Sequence, residues 1–319
     1  MNSIKDGIFG SAVGDALGVP IEFTARVSDK SKKLRDMVGY GSHHVPAGTW
    51  SDDTSMTLAT LDSIQEKKGI DYTDIMNKFI EWYDNAKYTA TDEVFDIGNA
   101  TASALYSYKS SNIAPIECGG KSERSNGNGS LMRFLPIAEY LSYSNLPEAE
   151  EVQIVKNSSA LTHGHEISML GCYIYTVFIK SLNKGNDKYQ AYRDVCSFDY
   201  SKYFSQETIS KYSRILDGNL DKLYEMDIKS SGYVISTLEA SLWCTLKTDS
   251  YEESIVEAIN LGSDTDTVGA VTGSITGKIY GYDNIPDRWI SKLRKADYLE
   301  ELCNKFDNKI ILSQQDISL

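Results

Sequence analysis

Two short segments hold the residues best suited to chemistry: Trp50-Ser51-Asp52-Asp53-Thr54 and Gly262-Ser263-Asp264-Thr265-Asp266-Thr267. Each sets two aspartates beside hydroxyl side chains, and each is expected to open a helix. Ser, Thr and Asp are also the preferred N-cap residues, and carboxylates in a first turn interact favourably with the helix dipole, so either segment alone has a purely structural explanation. Together they offer more. Two such clusters form a hard-oxygen donor set of the kind Mg²⁺ or Mn²⁺ prefers, whereas the Cys and His spacing expected for zinc is missing. If the two helix starts converge, four carboxylates share a small volume, and like charges that close must protonate or be neutralised by cations. Two divalent ions would do this, and a pair roughly 3.5–4 Å apart polarises a bridging water into a nucleophile near neutral pH. Hydrolysis is the chemistry expected. A calcium-binding EF-hand is not, because Asp264-Thr265-Asp266-Thr267 runs on into Val268-Gly269-Ala270-Val271 without the remaining loop ligands.

Other residues could complete such a site. Glu22 lies just beyond Pro20, where the first helix should end, and from a loop it could serve as ligand or proton shuttle; a solvated surface glutamate is the plain alternative. Asp15, inside that helix, reads as structural. Ser125-Asn126-Gly127-Asn128-Gly129-Ser130 precedes an apolar helix expected from Leu131, so backbone N–H groups at its start could cradle a phosphate. The loop is neither a Walker A sequence nor a dinucleotide fingerprint, and a flexible turn has the same composition. Leu161-Thr162-His163-Gly164-His165 contains two of the four histidines, His43 and His44 being the others. A histidine here could donate to a ribose hydroxyl or phosphate, bind a metal, or cap a helix. Asp96 offers a carboxylate to a sugar hydroxyl or a cationic group.

The elements that must position these groups are helices. Apolar residues recur at three-to-four spacing, as in Met56, Leu58, Leu61 and Ile64 or Leu238, Leu242 and Leu246, and there are only 6 prolines. Strand-like alternation is nearly absent, and breaks such as Lys184-Gly185-Asn186 are of turn length. The reading is an all-α fold, one compact domain over residues 1–319 with a dozen or so helices. Gly10, Gly14 and Gly18 are spaced by four, as are Gly269, Gly273, Gly277 and Gly281, which lays a stripe without side chains on each of two helices. Glycine costs about 1 kcal/mol relative to alanine inside a helix, so its repetition needs a reason; close helix–helix packing supplies one, with the two stripes facing each other.

Composition narrows the partners. With 32 Lys plus Arg against 45 Asp plus Glu, the formal net charge is −13, which speaks against a nucleic-acid groove lined by basic side chains. No apolar run approaches the roughly 20 residues of a bilayer span, and the N-terminus lacks the basic and apolar regions of an export signal. The cytoplasm is the expected location. Five scattered cysteines without a C-x-x-C pair read as core thiols.

The set Gly14-Asp15-Ala16-Leu17-Gly18 with Glu22, Gly48-Thr49-Trp50-Ser51-Asp52-Asp53-Thr54, Gly127-Asn128-Gly129-Ser130-Leu131-Met132-Arg133, Leu161-Thr162-His163-Gly164-His165 and Asp264-Thr265-Asp266-Thr267 resembles the ADP-ribosylglycohydrolase family. The resemblance runs in order through most of the chain. It implies an orthogonal multi-helix bundle with a dinuclear Mg²⁺ or Mn²⁺ site in a cleft, acting on the glycosidic bond at the ribose anomeric carbon of ADP-ribosylated proteins. Carried over by position, Ser51, Asp52, Asp53, Asp264, Asp266 and Thr267 would be metal ligands; many relatives have Thr where Ser51 stands. Glu22, a metal ligand or acid/base group, or Asp264 would be the proton acceptor. Gly127, Asn128, Gly129 and Ser130 would hold the diphosphate of ADP-ribose, His163 a ribose, and Asp96 the distal ribose or the leaving group. An arginine leaving group suits an acidic cleft and is favoured slightly over serine. A non-catalytic ADP-ribose reader or structural relative, and a hydrolase of free ADP-ribose conjugates, are the alternatives.

Overall fold

The computed structural model describes residues 3–311. In chain order its helices are α1 (Ile4–Gly18), α2 (Asp52–Lys67), α3 (Tyr72–Asn85), α4 (Asn99–Ser110), α5 (Leu135–Tyr143), α6 (Glu148–Ala160), α7 (Glu166–Asn183) and α8 (Lys188–Ser197). They continue as α9 (Gln206–Lys211), α10 (Ser213–Leu216), α11 (Val234–Lys247), α12 (Tyr251–Ile259), α13 (Thr265–Tyr280), α14 (Asp287–Ile290) and α15 (Ala296–Phe306). The fold is all-α. Among the described residues the only β-type pairings are two isolated bridges, Gly120 with His163 and Gly127 with Tyr233. No described helix is long and apolar enough to cross a membrane.

Local chemistry starts many of these helices where the chain says it should. Ser3, Ser51, Asp71, Asp187, Ser205 and Ser250 each accept a first-turn backbone N–H and so satisfy one of the donors a helix N-terminus leaves open. One boundary differs from expectation. The apolar segment after the glycine-rich loop winds through turns at residues 129–133 and becomes α-helix only at Leu135, with Pro136 in the first turn. The loop therefore does not sit on a helix N-terminus.

Helices α1 and α13 form the axis of the molecule. Both are buried on every side over most of their length. They run antiparallel with their glycine stripes in contact: a Cβ on Gly14 would lie 2.1 Å from the Gly269 carbonyl oxygen, and one on Gly273 2.1 Å from that of Gly10. Gly18 meets Asp266 in the same way, at 2.4 Å. Gly281 is the exception in its stripe; at φ +82° it ends α13 and touches nothing across the interface. Around the pair, α11 and α12 pack on α13, while α2 packs on α3, α5 and α15. One contiguous apolar cluster joins these elements, and Cys118, Cys172, Cys244 and Cys303 are buried thiols, with Cys196 half-buried.

Candidate active site

The antiparallel α1–α13 contact brings the C-terminal end of α1 to the N-terminal end of α13, and α2 starts at the same place. Asp15, fully buried on α1, makes the connection. Its carboxylate accepts from the backbone N–H of Ser51 at 2.9 Å and of Thr54 at 3.1 Å, and from the Thr54 hydroxyl at 2.6 Å. One helix thus caps another, as the structural reading of Asp15 anticipates. Burial pushes the Asp15 carboxyl up to about 6 against the pull of those hydrogen bonds.

The two acidic segments meet. Thr267 Oγ1 donates to Asp53 Oδ2 at 3.3 Å, and Ser51 Oγ donates to the same oxygen at 3.0 Å. Thr267 N–H holds Asp266 Oδ1 at 2.9 Å, and Asn128 Nδ2 holds Asp264 Oδ2 at 2.9 Å. Glu22, Asp264 and Asp266 each present an oxygen within 4.8 Å of the others. The Glu22 loop is tied to the α13 start by paired backbone bonds, Phe23 N to Ser263 O at 2.7 Å and Ser263 N to Thr24 O at 2.9 Å. Phe23 and Ser263 both adopt the left-handed conformation to allow this.

Burial and mutual repulsion dominate the electrostatics. Burial first, then neighbouring aspartates, hold the carboxyls of Asp52, Asp53 and Asp266 well above the ordinary range. Asp264 is raised by burial, against hydrogen bonds from Thr267 and Asn128, and Glu22 is pushed up to about 7 by burial, against its bond to His43. Among the described residues no Lys or Arg forms an ion pair with Glu22, Asp52, Asp53, Asp96, Asp264 or Asp266. Asp53 Oδ1 and Asp266 Oδ2 are buried and have no hydrogen-bond partner among the described residues. Crowded carboxylates, two orphaned oxygens and flanking hydroxyls compose a donor set that fits hard divalent cations.

Beside the acids lies a cavity of about 280 Å³. Glu22, Asp52, Asp96, Asp264 and Thr267 line it, together with Gly127, Asn128, Gly129 and His163. Ser51, Asp53 and Asp266 sit deeper. Ser130 departs from expectation: its hydroxyl turns into the core, where it accepts from Ser159 Oγ at 3.1 Å and from the Cys172 thiol, and it does not line the cavity. The 127–129 loop is braced by Asn128 N to Gly232 O and by Val234 N to Asn126 O, both 3.0 Å. His165 caps α7 through Nδ1. His163 is buried, and burial, with the nearby Arg133 charge, lowers its imidazole to about 3, leaving it neutral.

His43 is the site residue that sequence reasoning passed over. Its Nε2 hydrogen-bonds Glu22 Oε2 and lies 3.9 Å from Asp96 Oδ1, while Phe23 and Phe95 flank the ring at centroid distances of 5.9 and 5.2 Å. No local pattern marks it, because it lies in an irregular stretch whose path is set by tertiary bonds such as Ser42 Oγ to Glu22 O.

Known proteins share this architecture. The chain is 32% identical over 308 residues to the ADP-ribosylarginine hydrolase Tri1 of Serratia proteamaculans (strain 568), spanning 96% of this chain and 79% of that protein. It is 29% identical over 289 residues to the ADP-ribosyl-[dinitrogen reductase] glycohydrolase of Rhodospirillum rubrum, spanning 89% and 87%. A solved structure titled ADP-ribosylglycohydrolase-related protein complex superposes with a TM-score of 0.80 at 28% identity, covering 97% of this chain and 98% of that one. With the ADP-ribosylglycohydrolase profile matching residues 1–316, the chain belongs to the ADP-ribosylglycohydrolase family.

Proposed function

We propose that this chain is a metal-dependent ADP-ribosylhydrolase that removes ADP-ribose from modified arginine side chains of proteins. The observation that carries the reading is a cavity lined by Glu22, Asp52, Asp96 and Asp264 together with a glycine-rich loop, with Asp53 and Asp266 buried behind it and, among the described residues, no Lys or Arg paired with any of the six. Ser51, Asp52, Asp53, Asp264, Asp266 and Thr267 are the residues assigned to hold two Mg²⁺ or Mn²⁺ ions. When bound, such a pair supplies Lewis acidity and lowers the pKa of water.

The chain's own groups do the rest. Gly127 and Gly129 let the loop, assigned to the diphosphate, pack against the His163 ring, where a Cβ would come within 3.3 and 2.9 Å of it, and Asn128 ties that loop to Asp264, so that loop and acid cluster keep one geometry. His163 faces the ligand from the same wall. Glu22 is assigned to proton transfer, since a carboxyl raised to about 7 can take and return a proton near neutral pH. Asp264, engaged by Asn128, shares that role in orienting the attacking oxygen. Glu22 and Asp96 give one lobe of the cavity a negative character that a guanidinium leaving group matches. The Serratia relative, named as an ADP-ribosylarginine hydrolase, supports arginine over serine.

The test is to incubate the protein with ADP-ribosyl-arginine, ADP-ribosyl-serine and free ADP-ribose conjugates in Mg²⁺, Mn²⁺ or EDTA, beside Asp264→Asn. Release of ADP-ribose from arginine that needs the cation and disappears in the variant is the expected result. Binding without turnover would instead make the chain a reader.

A further inference from the structure

Arg133 is fully buried, and no carboxylate among the described residues forms an ion pair with it. Its guanidinium lies over the Phe79 ring, 4.7 Å from the centroid. Burial lowers its pKa only to about 10, so it keeps its charge at neutral pH. Such a charge, placed behind a ligand cavity and unused by the chemistry assigned above, asks for a role.

Its contacts suggest one. Arg133 Nη2 donates to Thr162 Oγ1 at 2.8 Å, and Thr162 Oγ1 lies 2.9 Å from His163 Nδ1. A guanidinium can only donate, so the Thr162 oxygen accepts from it and has its own proton to place. The acceptor in reach is His163 Nδ1. The opposite arrangement, with Nδ1 protonated, would leave a buried hydroxyl donor without an acceptor. A neutral imidazole with Nδ1 accepting must carry its proton on Nε2. That nitrogen lies under the glycine-rich loop, where a Cβ on Gly127 would come within 3.3 Å of it, and among the described residues it has no protein acceptor. His163 is one of the residues that line the cavity.

We propose that Arg133 and Thr162 are positioning residues that lock His163 in its Nε2–H tautomer, so that the cavity wall presents a hydrogen-bond donor to a phosphate or ribose oxygen of the ligand. The relay itself stands on these contacts alone; the identity of the ligand rests on the ADP-ribosylhydrolase reading. The buried arginine acts on its neighbours in two ways: its field keeps the neighbouring histidine neutral, and its obligatory donor character sets the direction of the hydroxyl.

The experiment is ¹⁵N–¹H correlation of the histidine rings in the ligand-free protein, with His163→Gln used to assign the His163 signal, followed by titration with ADP-ribose in Mg²⁺. The wild-type spectrum is expected to show a neutral His163 protonated on Nε2. Thr162→Val is expected to mix the two tautomers and weaken ADP-ribose binding on the order of tenfold, the size of one hydrogen bond to a charged group, and Thr162→Ser to restore both. A wild-type ring protonated on Nδ1, or a tautomer unchanged in Thr162→Val, overturns the relay. The wild-type spectrum decides this even if the valine variant fails to fold. Absence of ADP-ribose binding to the wild type would overturn the ligand half of the proposal and the reading of the cavity, while the ligand-free spectrum still decides the relay.

Discussion

Asp53 and Asp62 lie on the same helix and both are buried, yet their surroundings treat them in opposite ways. Asp62 accepts from Tyr88 Oη at 2.6 Å, Gln65 Nε2 at 2.8 Å and Lys78 Nζ at 2.9 Å. Burial disfavours its charge, but these donors outweigh it and hold the carboxyl below its usual value. A folded-state pKa below the unfolded one means stabilisation that is present above about pH 4 and is lost as pH falls through the folded value. Asp62→Asn is therefore expected to cost about 1–3 kcal/mol at pH 7 and progressively less below pH 4, as read by urea unfolding across pH. A difference that stays constant down to pH 2.5 would mean that the charge of Asp62 contributes nothing. Asp53 has no such donors beyond two hydroxyls and faces other aspartates, so its neighbours add to the cost of burial instead of relieving it.

At the scale of elements, the site depends on how closely α1 and α13 approach. Glycine within a helix costs about 1 kcal/mol relative to alanine, and here the stripe returns that cost by allowing backbone to touch backbone over the length of both helices. Gly14→Ala would drive a Cβ to 2.1 Å from the Gly269 carbonyl oxygen. Because the obstacle is backbone and not a flexible side chain, the helices must separate, with an expected loss of about 1–3 kcal/mol or more. Separation there also displaces Asp264 and Asp266 from α2. Gly69→Ala is the control, since its Cβ would meet only Tyr140 Oη at 3.8 Å. Thermal unfolding should show a clear drop for the first and little change for the second; equal melting temperatures would refute close packing as the reason for the stripe.

For the molecule as a whole, three segments far apart in sequence are held together at the point where their charges repel. The segment around residue 22 is tied to the start of α13 by the Phe23–Ser263 and Ser263–Thr24 backbone bonds, that helix start meets α2 through Thr267 and Asp53, and the acidic groups remain crowded. A ligand that binds only the folded state stabilises it by about 2.7 kcal/mol at a hundred times its Kd. Mg²⁺ or Mn²⁺ is therefore expected to raise the melting temperature of EDTA-treated protein. Asp53→Asn should melt higher than wild type without cation, because one like charge is removed, and should lose most of the cation-dependent gain. Calorimetry with and without metal checks both; a wild-type melting temperature indifferent to either ion would end the proposal of a metal centre.

Several parts of this were legible in the chain. Helical periodicity, the Ser-Asp-Asp and Asp-Thr-Asp helix starts and the fourfold glycine spacing are local patterns, because a helix is built from bonds between residues four apart and from caps within one turn. What a residue faces across the fold was not legible in the same way. His43 against Glu22, Ser130 turned inward, the start of α5 at Leu135 and the Arg133–Thr162–His163 chain arise from contacts between segments whose spacing carries no period. By itself the sequence determined which helices form, where the acids stand in them and which two helices can touch. Only the tertiary structure decided that those helix starts share one volume and which atoms face the cavity, since convergence depends on helix crossings and loop paths that summed long-range packing selects.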